Sequence, residues 1–425
     1  MIGRQDAPAR IDNGCLVGAP FLDDARLKRV LAALNADGEE ARVIGGAVRN
    51  ALLGEPVHEV DVTTTATPAV TIVRAQNAGL RAVPTGIEHG TITVLVDGVP
   101  FEVTTLREDV ETHGRHATVR FGRDFRADAL RRDFTINQLA VDAHGRVHDY
   151  AGGLEDIAAR RVRFIGDAMT RVREDYLRIL RFFRFHAAYA EGAMDADAMH
   201  ACIALRDGMR GLSRERVHAE LMKLLKARRA VDSIEAMTHS GMLDDALAGA
   251  PNPQRLRRVI AIENTNGLSP DAVLRLAALA VQVEEDALRL RTRLRMSNAN
   301  EARLMCAARA LVSWHGRETA PHQNALREKH YRCGRQAALD ALVLAHADSC
   351  SAADDATWRA AYAFLRDAPD IKLPVNGSDF IARGMAPGPA LGAALKRFEE
   401  AWIAAGFPAD AGLNARLADA AAIAS

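Results

Sequence analysis

The stretch Val43–Thr65, VIGGAVRNALLGEPVHEVDVTTT, reads as strand, glycine turn, short helix, loop and second strand. Gly45 and Gly46 let backbone approach backbone or ligand closely. The helix from Ala47 then offers an anion the first-turn N–H groups that no helix bonds internally. The second strand carries Glu59 and Asp61 on either side of Val60, and residues two apart on a strand share a face. Two carboxylates on one face repel each other unless a cation stands between them. Mg²⁺ suits that place, because it takes carboxylate oxygens while keeping water and substrate phosphates in its shell. Read singly, the glycine pair is a plain turn and the acid pair a solvated face. In this order they point to nucleotide chemistry.

The rest of the composition sets bounds. At 425 residues the chain has room for two or more domains with a sizeable core. Its 48% apolar and 26% charged content is that of a globular protein. Fifty-five basic and fifty-five acidic residues cancel, so no global field announces a nucleic-acid partner. Cys15, Cys202, Cys306, Cys333 and Cys350 are scattered without a Cys-x-x-Cys, which predicts reduced thiols in a cytoplasmic protein and no zinc site. The first residues lack an apolar signal core, and no run is long enough to span a membrane.

Working outward, residues before Phe21 read as a loose leader, and the apolar spacing from Leu22 to Leu34 predicts a helix. Thr67-Pro68 opens another helix, with Thr67 as cap, running to about Asn77 with Gly79 as its stop. Thr91, Thr93 and Leu95 alternate with Ile92, Val94 and Val96, Asp97-Gly98 is a hairpin turn, and Phe101 to Leu106 is the return strand. Glu102 on that strand is a candidate third carboxylate, and His89 is read as structural. Glu108 to Asp128 is polar and aperiodic, a long loop of the functional or mobile kind. Ala127 to Ala140 mixes core residues Leu130, Phe134, Ile136 and Leu139 with Arg131, Arg132 and Asp133. In Glu174 to Arg184, EDYLRILRFFR, the residues Asp175, Arg178, Arg181 and Arg184 recur every third position and form a slanting polar stripe on one helix. An Asp/Arg pair there can accept from an exocyclic amine and donate to ring nitrogens, which favours cytosine and adenine over uracil and guanine. Beyond Arg229 the chain is alanine- and leucine-rich helix, in which Arg255, Arg257, Arg258, Arg289, Arg291, Arg293 and Arg295 are candidates to grip an RNA backbone. The helix after Pro389 presents Leu391, Leu395, Phe398 and Trp402 as a packing face.

These motifs together resemble the class II tRNA nucleotidyltransferase and poly(A) polymerase family of the polymerase-beta superfamily, which contains the CCA-adding enzymes. Gly45, Gly46, Val48, Arg49, Leu53, Gly54 and Asp61 match its first signature, with Asn50 and Glu59 each standing where the family has Asp. Gly86, His89, Gly90 and Thr91, the run Glu102–Arg107, the run Arg131–Thr135 with Asn137, Asp149 with Gly152 and Gly153, and Glu174-Asp175-x-x-Arg178-x-x-Arg181 match others. Arg115, His116, Val119 and Phe121 partly match the family's flexible loop, and Ser213, Glu215, Arg216, Glu220 and Leu221 match a helix cap expected to support the template helix. The resemblance is strong over the first half of the chain.

The resemblance implies an α+β fold: a mixed-sheet nucleotidyltransferase head (20–150), a helical neck with the base-templating helix (151–245), and a helical, RNA-binding body and tail (246–425). It implies addition of CMP and AMP, from CTP and ATP, to the 3′ end of tRNA with release of pyrophosphate. Glu59 and Asp61 would hold Mg²⁺, with Glu102 completing the catalytic carboxylates. Gly45, Gly46, Arg49, Arg132, Asp175, Arg178, Arg181 and Arg184 would bind the nucleotide. No membrane and no obligatory protein partner is expected. A bacterial poly(A) polymerase of the same family, and a catalytically degenerate RNA-binding protein, are the alternative readings.

Overall fold

A computed structural model describes residues 8–113 and 116–423, the segment 108–119 through its backbone alone. The chain forms two compact units, Met1–Met242 and Leu243–Ser425. In the first, the segment expected to be loose is instead a short antiparallel ladder, β1 (Arg10–Asp12) with β2 (Cys15–Val17). Leu16 is buried there and its N–H bonds the Gly145 carbonyl at 2.8 Å, a partner no local pattern announces.

Five strands follow: β3 (Ala41–Ile44), β4 (Asp61–Thr64), β5 (Arg81–Gly86), β6 (Thr91–Val96) and β7 (Val99–Thr105). A separate antiparallel ladder of β8 (Arg107–His113) and β9 (His116–Phe121) comes next. It replaces the first part of the loop expected over Glu108 to Asp128. Arg115 lies outside the described residues, as do the side chains of His116 and Val119. Two short strands, β10 (Ala140–Val141) and β11 (Val147–His148), complete a seven-stranded sheet among the described residues, in the order β11-β10-β3-β4-β7-β6-β5. The β4–β7 pairing is parallel and the others antiparallel, so the sheet is mixed as expected. In β6, Ile92, Val94 and Val96 face the core, and the Asp97-Gly98 turn joins it to β7.

One expectation for the sheet needs correction. Glu59 is not on the strand: β4 begins at Asp61, and Glu59 stands exposed in the extended approach to it. Ile44 pairs with Asp61 as the last rung between β3 and β4, and Gly45 then turns the chain into a helix. Glu59 therefore has no rung to join.

The helices of this unit begin with α1 (Ala25–Leu34), α2 (Gly46–Leu53), α3 (Pro68–Asn77), α4 (Phe125–Leu130) and α5 (Gly153–Ala158). The helix expected from Leu22 starts later, because Pro20–Asp23 is a separate 3-10 turn and Asp24 caps α1 by accepting from Arg26 N–H at 2.8 Å. In α3, Thr67 caps and Pro68 leads, as the sequence predicts. The neck is α6 (Ala168–Glu174), α7 (Leu177–Tyr189), α8 (Ala196–Ala204), α9 (Arg214–Lys226) and α10 (Ala230–His239), with α7 packed on α9 and α10. A second correction falls here. The stripe expected on one helix from Glu174 is broken, since α6 ends at Glu174 and Asp175 is extended, at φ −156° and ψ 108°. Tyr176 then lies flat against Gly208, where an added Cβ would fall 2.1 Å from its ring.

At the Asp-x-x-Gly-Gly match, Asp149 ties the sheet to the helices that follow. Its carboxylate accepts from Gln138 Nε2 at 2.6 Å and from the N–H groups of Gly153 and Leu154, both at 2.9 Å, capping α5. Gly153 must be glycine for want of space: an added Cβ would stand 2.4 Å from the Thr135 carbonyl oxygen.

The second unit is helical among its described residues, from Asp244–Leu247 to Ala411–Ile423. Several of the arginines that are candidates for an RNA grip are engaged within the unit itself. Arg255 is buried, donating to the Ala278 carbonyl at 2.8 Å, the Ala277 carbonyl at 3.0 Å and the Val281 carbonyl. Arg258 donates to the carbonyls of Ser349 and Ser351 at 3.0 and 2.7 Å. Arg289 pairs with Asp286, Arg291 with Glu301 and Arg293 with Asp245. The Arg255 and Arg258 guanidiniums thus close helix C-termini, whose last carbonyls lack intrahelical donors, while the other three make ion pairs. The expectation of thiols throughout also fails, because neighbouring helices bring Cys306 and Cys333 together as a disulfide, while Cys15, Cys202 and Cys350 are free. Near the end, Phe398 and Trp402 are buried with Val375 and Phe380, and Leu391 and Leu395 pack against them, as the helical spacing predicts.

Gly153→Ala should destabilise the first unit by about 1–3 kcal/mol, the usual cost of overpacking, read as an earlier unfolding midpoint in urea. Gly211→Ala, which meets nothing within 4 Å, should leave the midpoint within about 0.5 kcal/mol.

Candidate active site

Gly45 ends β3 with φ 70° and ψ −113°, a backbone setting that only glycine adopts without strain, and so aims the start of α2 across the end of the sheet. An added Cβ there would meet the Asn137 carbonyl oxygen at 3.4 Å and Arg132 Nη1 at 3.7 Å. The glycine thus lets the turn and the Arg132 guanidinium stand side by side. They open onto a cleft of about 370 Å³ that Arg49, Asp61, Glu102, Arg132 and Arg181 also line.

The acids come from β4 and β7. Those strands run parallel with Val62 opposite Val103, so Asp61 and Glu102, each one residue earlier, lie side by side on one face. Burial, then the charges of Glu102 and Glu59, hold the Asp61 carboxyl above the usual carboxylate range, with Arg132 acting against them. Glu59 therefore feels the same site but stands at its edge and does not line the cleft. Among the described residues no three His, Cys, Asp or Glu side chains close into a cage. Two adjacent carboxylates in an open cleft instead fit a cation that completes its shell with water and substrate oxygens.

Facing chemistry is supplied by arginine. Arg49 is 7% exposed, and its hydrogen-bond partners are neutral: Asn137 Oδ1 at 2.6 Å, Asn50 Oδ1 at 2.8 Å and Tyr189 Oη at 2.9 Å. Burial pushes its guanidinium pKa down and Arg184 and Arg181 add to the push, which Tyr189 and Asp133 oppose without reversing it. Arg132 donates to Asp128 at 3.2 Å, while its buried Nε has no partner. A buried donor without an acceptor is costly, and an anion in the cleft relieves it.

Arg49 and Arg181 are joined through one buried carboxylate. Asp133 accepts from Asn137 Nδ2 and Phe134 N–H, both at 2.9 Å, and from Arg181 Nε at 2.7 Å, while Asn137 Oδ1 takes the Arg49 donor. Burial raises the Asp133 pKa, but Arg181 and these donors more than reverse it, so the carboxyl sits below the usual range.

Behind this line stand the other predicted nucleotide residues. Asp175 accepts from Arg216 Nη2 at 2.5 Å and from Leu177 N–H at 3.0 Å. Arg178 donates to Glu174 at 2.5 Å and to the Arg131 carbonyl at 3.2 Å. Arg184 donates to Glu220 at 2.5 Å. Arg216 and Glu220 on α9 thus hold the start and flank of α7, the support expected of that motif. Gly45, Gly46, Arg49, Asp61, Glu102, Arg132 and Arg181 line the cleft, whereas Glu59, Asp175, Arg178 and Arg184 do not. Sequence reasoning missed Asp133 and Asn137 as the link, and Phe185 as a cleft residue. Phe185 is four residues after Arg181, a spacing that places both on one side of a helix.

A mixed-sheet head with paired carboxylates set among arginines, on a helical support, defines a nucleotidyltransferase head. Residues 41–163 match the family model described as the Poly A polymerase head domain, and 193–250 match a probable RNA and SrmB-binding site of polymerase A. The chain is 30% identical to a CCA-adding enzyme of Latilactobacillus sakei over 381 residues, which is 87% of this chain and 91% of that one. It is 38% identical to the mitochondrial CCA tRNA nucleotidyltransferase 1 of Mus musculus over 64% of this chain, and spans 63% of that protein's length. The crystal structure of the Bacillus stearothermophilus CCA-adding enzyme in complex with CTP superposes with a TM-score of 0.72 at 27% identity, covering 93% of this chain and 96% of that one. The chain belongs to the class II family of CCA-adding enzymes and poly(A) polymerases.

Two outcomes follow for the acids. Asp61 has a raised folded pKa, so its ionisation costs stability, and that cost grows as pH rises from the unfolded value through the folded one. Asp61→Asn should therefore raise the melting temperature of metal-free protein at pH 7 by a few degrees, at about 2–4 °C per kcal/mol. The gain should vanish in acid, and a divalent cation should stabilise the wild type but not the variant. Asp133 has a lowered folded pKa, so its contribution is fully present above the ordinary carboxylate range and is lost as pH falls through the folded value. Asp133→Ala should cost about 3–5 kcal/mol at neutral pH, and the gap between wild type and Asp133→Asn in urea unfolding should close in acid.

Proposed function

We propose that this chain is a CCA tRNA nucleotidyltransferase that adds CMP and AMP, from CTP and ATP, to the 3′ end of tRNA and releases pyrophosphate. The observation that carries the reading is a single cleft in which the adjacent carboxylates of Asp61 and Glu102 meet Arg49, Arg132 and Arg181. Relatives named as CCA-adding enzymes over most of their length support the choice of substrate. The assignment of 20–150 as catalytic head, 151–245 as neck and 246–425 as RNA-binding body and tail is part of the same proposal. So is a cytoplasmic location, although some relatives are mitochondrial proteins.

In this reading Asp61 and Glu102, with Glu59 at the rim, would hold Mg²⁺. Bound there, it would supply a lower pKa for the attacking hydroxyl and charge to offset the triphosphate. The chain's own share is positioning. The Gly45–Gly46 turn and the first turn of α2 receive phosphate oxygens, and Arg132 and Arg49 neutralise the leaving pyrophosphate as the tRNA 3′-oxygen attacks the α-phosphorus. Base choice is assigned to Asp175 and Arg178, which stand behind the cleft wall with Arg184, while Arg181 lines the cleft itself. Arg216 and Glu174 hold that pair in place, and a wrong base leaves its buried polar groups unpaired.

The test is extension of a tRNA lacking its CCA end by the purified chain with Mg²⁺, resolved at single-nucleotide length. Addition should stop after three nucleotides and should require CTP first. A long adenylate ladder would assign a poly(A) polymerase, and bound but unextended tRNA an inactive RNA-binding protein. Asp61→Ala should lower the rate by about 10³-fold, several kcal/mol of lost transition-state stabilisation. Glu59→Ala, removing an edge carboxylate, should lower it by about tenfold.

A further inference from the structure

Phe185 carries three guanidinium groups around one ring. Arg184 Cζ stands 4.2 Å from its centroid, and Arg49 and Arg181 each stand 5.2 Å away. The ring is 4% exposed yet lines the cleft. Below it lies Phe134 at 5.0 Å, and beside it Tyr189 at 5.5 Å, whose own ring carries Arg49 at 4.2 Å.

The three cations are not equally supported. Arg181 has Asp133 and Arg184 has Glu220 as carboxylate partners. The hydrogen bonds of Arg49 go to neutral oxygens alone. Like charges buried together repel, and Arg49 bears the push of Arg184 and Arg181, against which Tyr189 and the more distant Asp133 charge act. The face of an aromatic ring is the negative end of its quadrupole and attracts a cation within about 6 Å. An aliphatic side chain fills the same space without that attraction.

We propose that Phe185 is a positioning residue for the nucleotide triphosphate: its ring holds Arg49 and Arg181 in the cleft as a ready pair of cations for one polyanion. This deepens the proposed function and rests on it for the identity of the ligand. The part played by Phe185 is separate from catalysis. It sets where two guanidiniums stand before substrate arrives, so its loss weakens nucleotide binding and leaves the chemical step largely intact.

The experiment compares Phe185→Leu, Phe185→Tyr and Phe164→Leu with wild type. Phe164 is a buried aromatic neighbour, tilted against Phe134 and stacked on Phe182, and over it no guanidinium stands among the described contacts. Melting temperature reports packing. CTP titration by calorimetry, in Mg²⁺ buffer without tRNA, reports binding, and extension of tRNA lacking its CCA end gives KM and kcat. Phe185→Leu should weaken CTP binding and raise the nucleotide KM by about tenfold, as expected for a desolvated cation–π contact. Its kcat should stay within about threefold of wild type, and Phe185→Tyr should recover most of the loss. Phe164→Leu should lower the melting temperature comparably and leave CTP binding unchanged. Wild-type CTP binding in Phe185→Leu, or equal weakening in Phe164→Leu, would overturn the proposal. Should wild type bind CTP but extend no tRNA, the proposed function falls, while the calorimetric comparison still decides the role of Phe185.

Discussion

A buried carboxylate with no water to solvate it must find cations or donors, and Asp133 finds them both locally and on α7. Close in sequence are Asn137 and the Phe134 N–H, and from α7 comes Arg181. The backbone follows the same seam, with Ile165 N–H on the Asp133 carbonyl at 3.0 Å and Thr135 N–H on the Arg163 carbonyl at 3.1 Å. Every direction in the cleft refers to this point. Asn137 hands its oxygen to Arg49, and Arg181 carries α7, which presents Phe185. A pair of this kind adds little net stability over an apolar one, but breaking it leaves a charge stranded. Its value is that sheet and helix can meet in one register only.

Around that anchor the cleft is built with its charges poorly satisfied. Asp61 lies beside Glu102 and is held above its ordinary pKa, Arg49 is buried among neutral oxygens, and Arg132 keeps a donor without an acceptor. Each imbalance has the sign that one ligand corrects: a cation at the acids and a polyanion at the arginines. A site prepared this way spends part of its folding stability on groups whose partners arrive with substrate.

Arginine elsewhere serves a different end. In the second unit Arg255 and Arg258 turn inward to helix carbonyls, and Arg275 is buried against Glu263 at 2.6 Å. The same planar fork that suits phosphate also closes a helix end with several bonds at once. Residue type alone does not separate the two uses.

The sequence by itself determined many of the elements and much of the cleft wall. Gly45-Gly46, the Thr67-Pro68 cap, the β6–β7 alternation and Glu102 were legible because turns, caps and two-residue periods are local properties. Spacing also named Asp61 and Arg181, and the family resemblance added Arg49 and Arg132. Tertiary structure alone decided the rest. Glu59 fell off β4 because Gly45 ends its partner strand. Asp175 left the helix because Arg216, 41 residues away, holds it and Tyr176 needs the space over Gly208. Asp133 met Arg181 across 48 residues, and Cys306 met Cys333 across 27. No period in a sequence encodes such meetings, because they depend on how finished elements pack, and packing is a property of the whole unit.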